Sequence, residues 1–436
     1  MFLDFYNYST IWTKIFFIFL IFLSVYHTFY YKINNNFFRF EKYFFLFYIF
    51  VPLILFIPFS FNILNSSASP DYANYRHLIN DVIFINFIGI VFYVFGTYFC
   101  KRVPVFLEKF SSITSFYFWS GFNNKYFSSF YIFIGLLIVF FMFLSGISLG
   151  KGREFSMLNP TIRPMILLYM MLINFFLFYT IANYFFTKKI SNLLKVFIIL
   201  FLSLISGTRG ALVMPLVFSL FMYNYCLNKK IKIFLLMKIS AYILVLLTSL
   251  QAVLILRGSN SGDRNFISDL LYGNTFSDIR DFAWVLSGWN SEYLLGKTQL
   301  AGFMSFIPSF LSSFRQEWAW GRFSTDLVNL DSTVHPGLRP GIFGEMFINF
   351  GIIGVSILGF ALGVLIENYS KIIDKKRDDY QKVLKLYVLG SLFIIFLFNF
   401  SITSGFFRNY VLVIIFFLFI FMHNFMSKII ALYGRK

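Results

Sequence analysis

The chain has 436 residues, of which 58% are hydrophobic, 23% aromatic and only 13% charged. That is too little polar surface for a soluble protein, whereas apolar runs of about 20 residues, each long enough to cross a ~30 Å hydrocarbon core, recur from end to end. The formal charge of +18 sits mainly between those runs, no nucleic-acid partner is expected from it, and the period-two alternation of a membrane barrel is absent.

The pattern predicts an all-α polytopic membrane protein, one integral-membrane domain over residues 1–436. Eleven spans can be drawn: 11–31, 43–64, 80–100, 128–149, 164–186, 191–206, 211–227, 233–256, 342–366, 383–402 and 408–426. A further helix within 101–127 or the long loop would make twelve. The first span has neither a Lys/Arg-rich leader nor a small-residue cleavage site, so it reads as retained. Cys100 and Cys226 fall at span ends and match no metal or redox spacing.

Alternate connections collect lysine, from Lys32, Arg39 and Lys42 to the run "KIIDKKRDDYQK" and the tail "GRK". The positive-inside rule makes that side the cytoplasm, with the N-terminus outside and the C-terminus inside a bacterial cytoplasmic membrane. Cytoplasmic segments hold 19 Lys and 4 Arg, whereas outer segments hold 2 Lys (Lys151 and Lys297) and 11 Arg. Topology needs only positive charge. Guanidinium adds a planar fork that binds phosphate or carboxylate bidentately, so the outer face reads as built to hold an anion. The plainer alternative is that these arginines pair with local acids such as Asp71.

The one large outer loop runs over 257–341, without an apolar core of its own. Its stretch "AGFMSFIPSFLSSF" (301–314) places Phe303, Phe306, Phe310, Leu311 and Phe314 at helical spacing, as in an interfacial helix that roofs the bundle. Cytoplasmic connections carry no phosphate-binding loop or nucleotide motif.

Three outer clusters carry chemistry. "LISGTRGAL" (204–212) holds Arg209 between Gly207 and Gly210, at the turn between two short spans. "ILRGSNSGDRNF" holds Arg257 and Arg264. "DLVNLDSTVHPGLRPGIFGEMF" gathers Asp326, Asp331, His335, Arg339 and Glu345. Arg257 also suits an interfacial anchor, and His335 an inert loop position. Glu345, a few residues into an apolar span, is expensive without a partner; an outer arginine is expected there. Gly341, Gly344, Gly351, Gly354, Gly359 and Gly363 permit close helix approach, the last four above all. No acid or His set has metal-ligand spacing, so neither metal nor cofactor is expected.

"SGTRGAL", "GNTFSDIRDFAWVL", "GKTQLAGFMSFIPSF" and "HPGLRPGIFGEMFINFGIIGV" together resemble the bacterial oligosaccharide repeat-unit polymerases, the O-antigen polymerase (Wzy-type) family, over about residues 200–365. The resemblance implies a fold like that of GT-C glycosyltransferases. It also implies transfer of a glycan chain from undecaprenyl diphosphate onto a lipid-linked repeat unit at the outer face, with a separate chain-length regulator as partner. Related O-antigen ligases have His followed closely by Asn where this chain has "HPG", which favours polymerase over ligase. Arg209, Arg257 and Arg339, backed by Arg264 and Arg315, would hold the diphosphate and stabilise its developing charge. His335 or Glu345 would act as base. Trp318 and Trp320 would stack on sugar. The competing class is a transporter or flippase of a lipid-linked glycan, which should carry charges near mid-membrane on broken helices and an internal repeat.

Overall fold

The computed structural model describes residues 2–30, 38–67, 69, 71–100, 125–147, 155, 163–203, 209–227, 272, 277–307, 311–331, 337–376, 379, 382–384, 386–387 and 389–390. The spans expected at 233–256 and 408–426, and most of 383–402, lie outside them. Among the described residues the chain is helical and has no strand.

The helices are α1 (Phe2–Tyr8), α2 (Ile11–Val25), α3 (Phe40–Phe44), α4 (Ile57–Ser60), α5 (Tyr72–Tyr75), α6 (Ile79–Phe99), α7 (Lys125–Leu144), α8 (Arg163–Thr187), α9 (Ile190–Ser203) and α10 (Arg209–Cys226). Four short ones from the long loop follow: α11 (Asp278–Gly288), α12 (Lys297–Phe303), α13 (Ser313–Trp318) and α14 (Trp320–Leu327). α15 (Gly341–Asp374) follows them. Ile11–Phe29, Tyr72–Phe99 and Gly341–Asp374 are long and apolar enough to cross a membrane, and Tyr131–Leu144 and Ile190–Ser203 are shorter apolar helices. Exposed Phe95, Phe99, Ile353 and Ile357 belong on such helices, because hydrocarbon rather than water would meet them.

α6 and α15 form the central pair, and glycine sets their separation. A Cβ on Gly96 would lie 2.2 Å from the Phe360 carbonyl oxygen, one on Gly359 2.4 Å from that of Gly89, and one on Gly363 2.1 Å from that of Tyr93. The backbones are in contact, as small-residue spacing allows. A second group comprises α7 to α10; within it Tyr131 of α7 stacks on Tyr169 and Phe176 of α8, with centroids at 4.5 and 4.0 Å. Phe218 and Phe221 of α10 join the groups by packing on Tyr43.

α3 continues as a π-helix over Phe45–Leu55, which accommodates Pro52, a residue that lacks the donor an α-helical ladder requires. The span expected at 43–64 therefore ends at Phe56 and gives way to the short α4.

α15 departs furthest from expectation. Gly351 has φ +64° and ψ −158°, a combination open only to glycine. The helix folds back on itself there: a Cβ on Gly354 would come within 3.1 Å of the Met346 carbonyl oxygen, eight residues earlier. Phe343 and Gly359 both lie against Gly89, although 16 residues of straight helix would separate them by about 24 Å. The membrane-length segment is thus the arm 352–374, about 34 Å long, and 341–350 is a short arm beside its start. The expected span 342–366 is corrected accordingly.

α6 defines two ends. At its upper end Arg76 meets Asp4 at 3.3 Å and lies over the Tyr8 ring at 3.4 Å. Arg76, five residues from Asp71, is thus tied to α1. At the lower end Cys100 donates to Asn368 and Lys371 donates to the Cys100 carbonyl. A buried ionic network occupies that end. Arg39 Nε and Nη2 donate to Asp374 Oδ2 at 2.9 and 2.6 Å, and Nη1 and Nη2 to Glu367 at 3.3 and 3.4 Å. His27 Nε2 lies 2.6 Å and Lys42 Nζ 3.3 Å from the two oxygens of Glu41. Tyr93 donates to Glu41 at 3.4 Å, and Tyr225 of α10 to Asp374 at 2.5 Å. Charges that topology distributes along the sequence are here neutralised in pairs, the condition for burying them at all.

Candidate functional site

Of the residues expected to carry chemistry, the described ones, Arg209, Arg315, Arg339 and Glu345, belong to the upper end, where the helices of the long loop cover the bundle. Ile279, Phe282, Ala283 and Val285 bury one face of α11 in the common core, and Tyr75 stacks on Trp284 at 5.7 Å with the rings 7° apart. Trp320 of α14 is buried, and its indole donates to the Leu338 carbonyl at 2.8 Å. It is a strut that holds 337–340 against α14, not a surface for stacking a sugar. Gly337 needs its φ of +119° there, with Gly321 Cα 2.5 Å from where a Cβ would be. Trp318 is covered in part by Lys297, 4.2 Å from the ring centroid.

The stretch 301–314 is not one amphipathic helix. α12 ends at Phe303, a 3₁₀ turn covers Met304–Phe306, and Ile307 is extended at φ −84°, ψ 126°, as a residue before proline must be. Ser312 then caps α13 by accepting from the Arg315 amide, which restarts the helix. Phe303 and Leu311 are exposed; Phe310 lies outside the described residues.

Arg339 enters a compact quartet at the start of α11. Its Nε is 3.6 Å from Asp278 Oδ1 and 3.5 Å from Asp281 Oδ2, and it donates to the Ser277 hydroxyl. Ser277 donates in turn to Asp281 at 2.7 Å. Arg280 donates to Asp281 Oδ1 at 3.2 and 2.9 Å and to the Tyr272 carbonyl at 3.1 Å. Two guanidinium groups thus balance two carboxylates. Burial pushes the Asp278 carboxyl above its ordinary range, against the lowering pull of Arg339. Acids therefore take the charge of Arg76, Arg280 and Arg339, but only for Arg280 is the partner, Asp281, close in sequence. The Arg339 side chain keeps 37% exposure and is the member an incoming anion would meet.

Glu345 lies on the short arm with no exposed surface. Its Oε1 accepts from Thr298 Oγ1 at 2.7 Å, and among the described residues no cation is within ion-pair distance. Because the arm folds back at Gly351, the expected arginine is replaced by the first turn of α12. Asn349 extends the tie: its Nδ2 donates to Thr298 Oγ1 at 2.7 Å, and its Oδ1 accepts from the Gly296 amide at 3.0 Å. Leu294 and Leu295 donate to the carbonyls of Ile348 and Asn349 at 3.1 and 3.0 Å. The long loop is thereby laced to the short arm.

Thr298→Val leaves Glu345 and Asn349 each short of a buried partner, with an expected loss of about 2–4 kcal/mol. Glu345→Gln keeps shape and acceptor and costs under ~1 kcal/mol. Chemical unfolding of both variants in detergent checks the ranking. A folded Glu345→Gln protein then reports on chemistry alone.

Arg209 is the first residue of α10, whose far end reaches Asp374 through Tyr225, so the backbone sets it at the upper end. Arg315 donates to the Ile307 carbonyl and holds that turn. Arg257, Arg264 and His335 lie outside the described residues. Sequence reasoning passed over Ser277, Asp278, Asp281, Thr298 and Asn349, although the first three lie in "GNTFSDIRDFAWVL", where two acids three residues apart at a helix start are a visible signal. No family model, curated protein or solved structure matches this chain.

Proposed function

We propose that this chain is a membrane glycosyltransferase of the repeat-unit polymerase kind, with eleven or twelve spans and the upper end facing the exterior of the cytoplasmic membrane. The reaction would pass a glycan chain from undecaprenyl diphosphate to a lipid-linked oligosaccharide. The observation that carries this reading is the one-sided build: helices from a single long loop cover the upper end, are laced to the short arm, and stand over the end where Arg209 begins α10. Chemistry at one face needs such a cover; passage through the protein does not.

In this reading an acceptor hydroxyl attacks the anomeric carbon and gives its proton to a base, while the bond to the lipid diphosphate breaks. Arg209, Arg257 and Arg264 take up the charge of the leaving diphosphate, and Arg339 contributes from its quartet. We assign the base to His335, since Glu345 is enclosed. Purified full-length protein given the lipid-linked oligosaccharide alone should yield longer products. Arg209→Lys should lower elongation about 100-fold or more at unchanged expression; products of normal length from this variant would remove its anion-holding role.

A second reading, a transporter of lipid-linked glycan, is favoured by the buried network of His27, Glu41, Lys42 and Tyr93 at the lower end, since ionisable groups inside a membrane often serve transport. Translocation of the same substrate without extension would support it. An O-antigen ligase is the remaining relative in chemistry, and would transfer the glycan to a different acceptor.

A further inference from the structure

A cavity of about 600 Å³ opens at the upper end between 71–78, the last turn of α11 and residues 327–329. Its size falls within the ~300–1,000 Å³ typical of small-molecule sites. The polar wall is Asp71, Asn74, His77, Ser287 and Asn329; the apolar wall includes Leu78, Leu286, Leu327 and the Trp284 edge. Among the described residues no Lys or Arg lines it. Asp71, Asn74 and His77 are exposed, and among the described residues none of the three spends its side chain in a hydrogen bond. The wall is firmly built: Trp284 is fixed by its stack on Tyr75, and Gly288 sits where a Cβ would meet the Leu327 carbonyl at 2.1 Å.

We infer that this cavity is a binding subsite for a neutral saccharide. A phosphate would find no Lys or Arg among the described lining residues and would face Asp71. A purely apolar ligand would strand a carboxylate, an imidazole and two amides, each costly to desolvate without a partner. A sugar ring offers donors and acceptors around its edge and C–H faces for the leucines. α11 carries both the Asp278–Asp281 turn and, seven residues on, the cavity wall, so the two are about 10 Å apart along one helix. A saccharide of two or more units seated in the cavity would thus be long enough to reach the turn that holds Arg339. The assignment of this saccharide as substrate rests on the polymerase reading; its binding does not.

The test is saturation-transfer NMR on the full chain in nanodiscs, with glucose and N-acetylglucosamine as probes and sodium pyrophosphate as competitor. Signal is expected for at least one sugar, weakened about tenfold in affinity both by the paired surface changes Asn74→Ala and His77→Ala and by Ser287→Phe, which fills the cavity. The surface pair leaves the packed wall intact, so loss there does not report misfolding. No signal from either sugar, undiminished signal in both variants, or displacement by pyrophosphate would each overturn the inference. Sugar binding without elongation removes the polymerase reading and leaves the subsite; elongation without sugar signal does the reverse.

Discussion

Gly363→Leu is expected to yield no folded monodisperse protein, and Gly363→Ala to lose about 3 kcal/mol or more. A single methyl on Gly363 would sit 2.1 Å from the Tyr93 carbonyl oxygen, and the Thr97 amide nitrogen is 3.0 Å away. Both are backbone atoms of α6, which no rotamer change can move aside. Relief requires the helices to separate, which opens the neighbouring contacts of Gly96 and Gly359 as well. Overpacking of side chains alone costs ~1–3 kcal/mol, and rigid backbone raises that. Gly146→Ala is the control: φ is +67° but nothing lies within 4 Å, so only the ~1–2 kcal/mol of left-handed strain is lost. Size-exclusion profiles and thermal unfolding in detergent compare the two. Equal losses would sink the close-packing account.

The second large effect belongs to Arg39. Its guanidinium is shared between Glu367, which has no exposed side-chain surface, and Asp374, which is 34% exposed. Arg39→Met removes the charge facing Glu367 and leaves it Lys371, at the longer distance of 4.0 Å. Breaking one side of a buried pair costs about 3–5 kcal/mol. Arg39→Met with Glu367→Met should recover more than half of that, because Asp374 can still meet solvent. Strict additivity of the two single losses would show that the residues are not coupled. Transport driven by a proton gradient and abolished by His27→Ala, with stability kept, would shift the weight to the transporter reading.

Segregation of charge to two ends was legible because hydrocarbon leaves charge nowhere else to go: Arg39, Lys42 and Lys371 meet at one end, Arg76, Arg280 and Arg339 at the other. Their partners were not, since Arg39 and Asp374 stand 335 residues apart and no local pattern links them. Glu41 and His27 escaped notice for a related reason: a lone acid in a lysine-rich connection looks like a topology signal. Small-residue spacing did point to Gly359 and Gly363. It read Gly351 as one more packing position and not as a bend, because hydropathy runs unbroken through Phe350, Gly351 and Ile352 and carries no information on φ. The interrupted helix at 301–314 had a readable cause in Pro308, which helical spacing of the phenylalanines obscured. Glu345 was rightly marked as needing a partner, but the direction of its arm, and so the partner's identity, depended on the bend.

The glycine contact between α6 and α15 also bears on how the chain is made. Gly89 and Gly359 are 270 positions apart in the sequence. At roughly 5–20 residues per second, the ribosome takes on the order of 13–54 seconds to deliver the second after the first. During that interval the flat face of α6 waits without its mate, offering backbone to any passing helix with small residues. A bundle joined this way depends on its first half being shielded until its last long helix arrives.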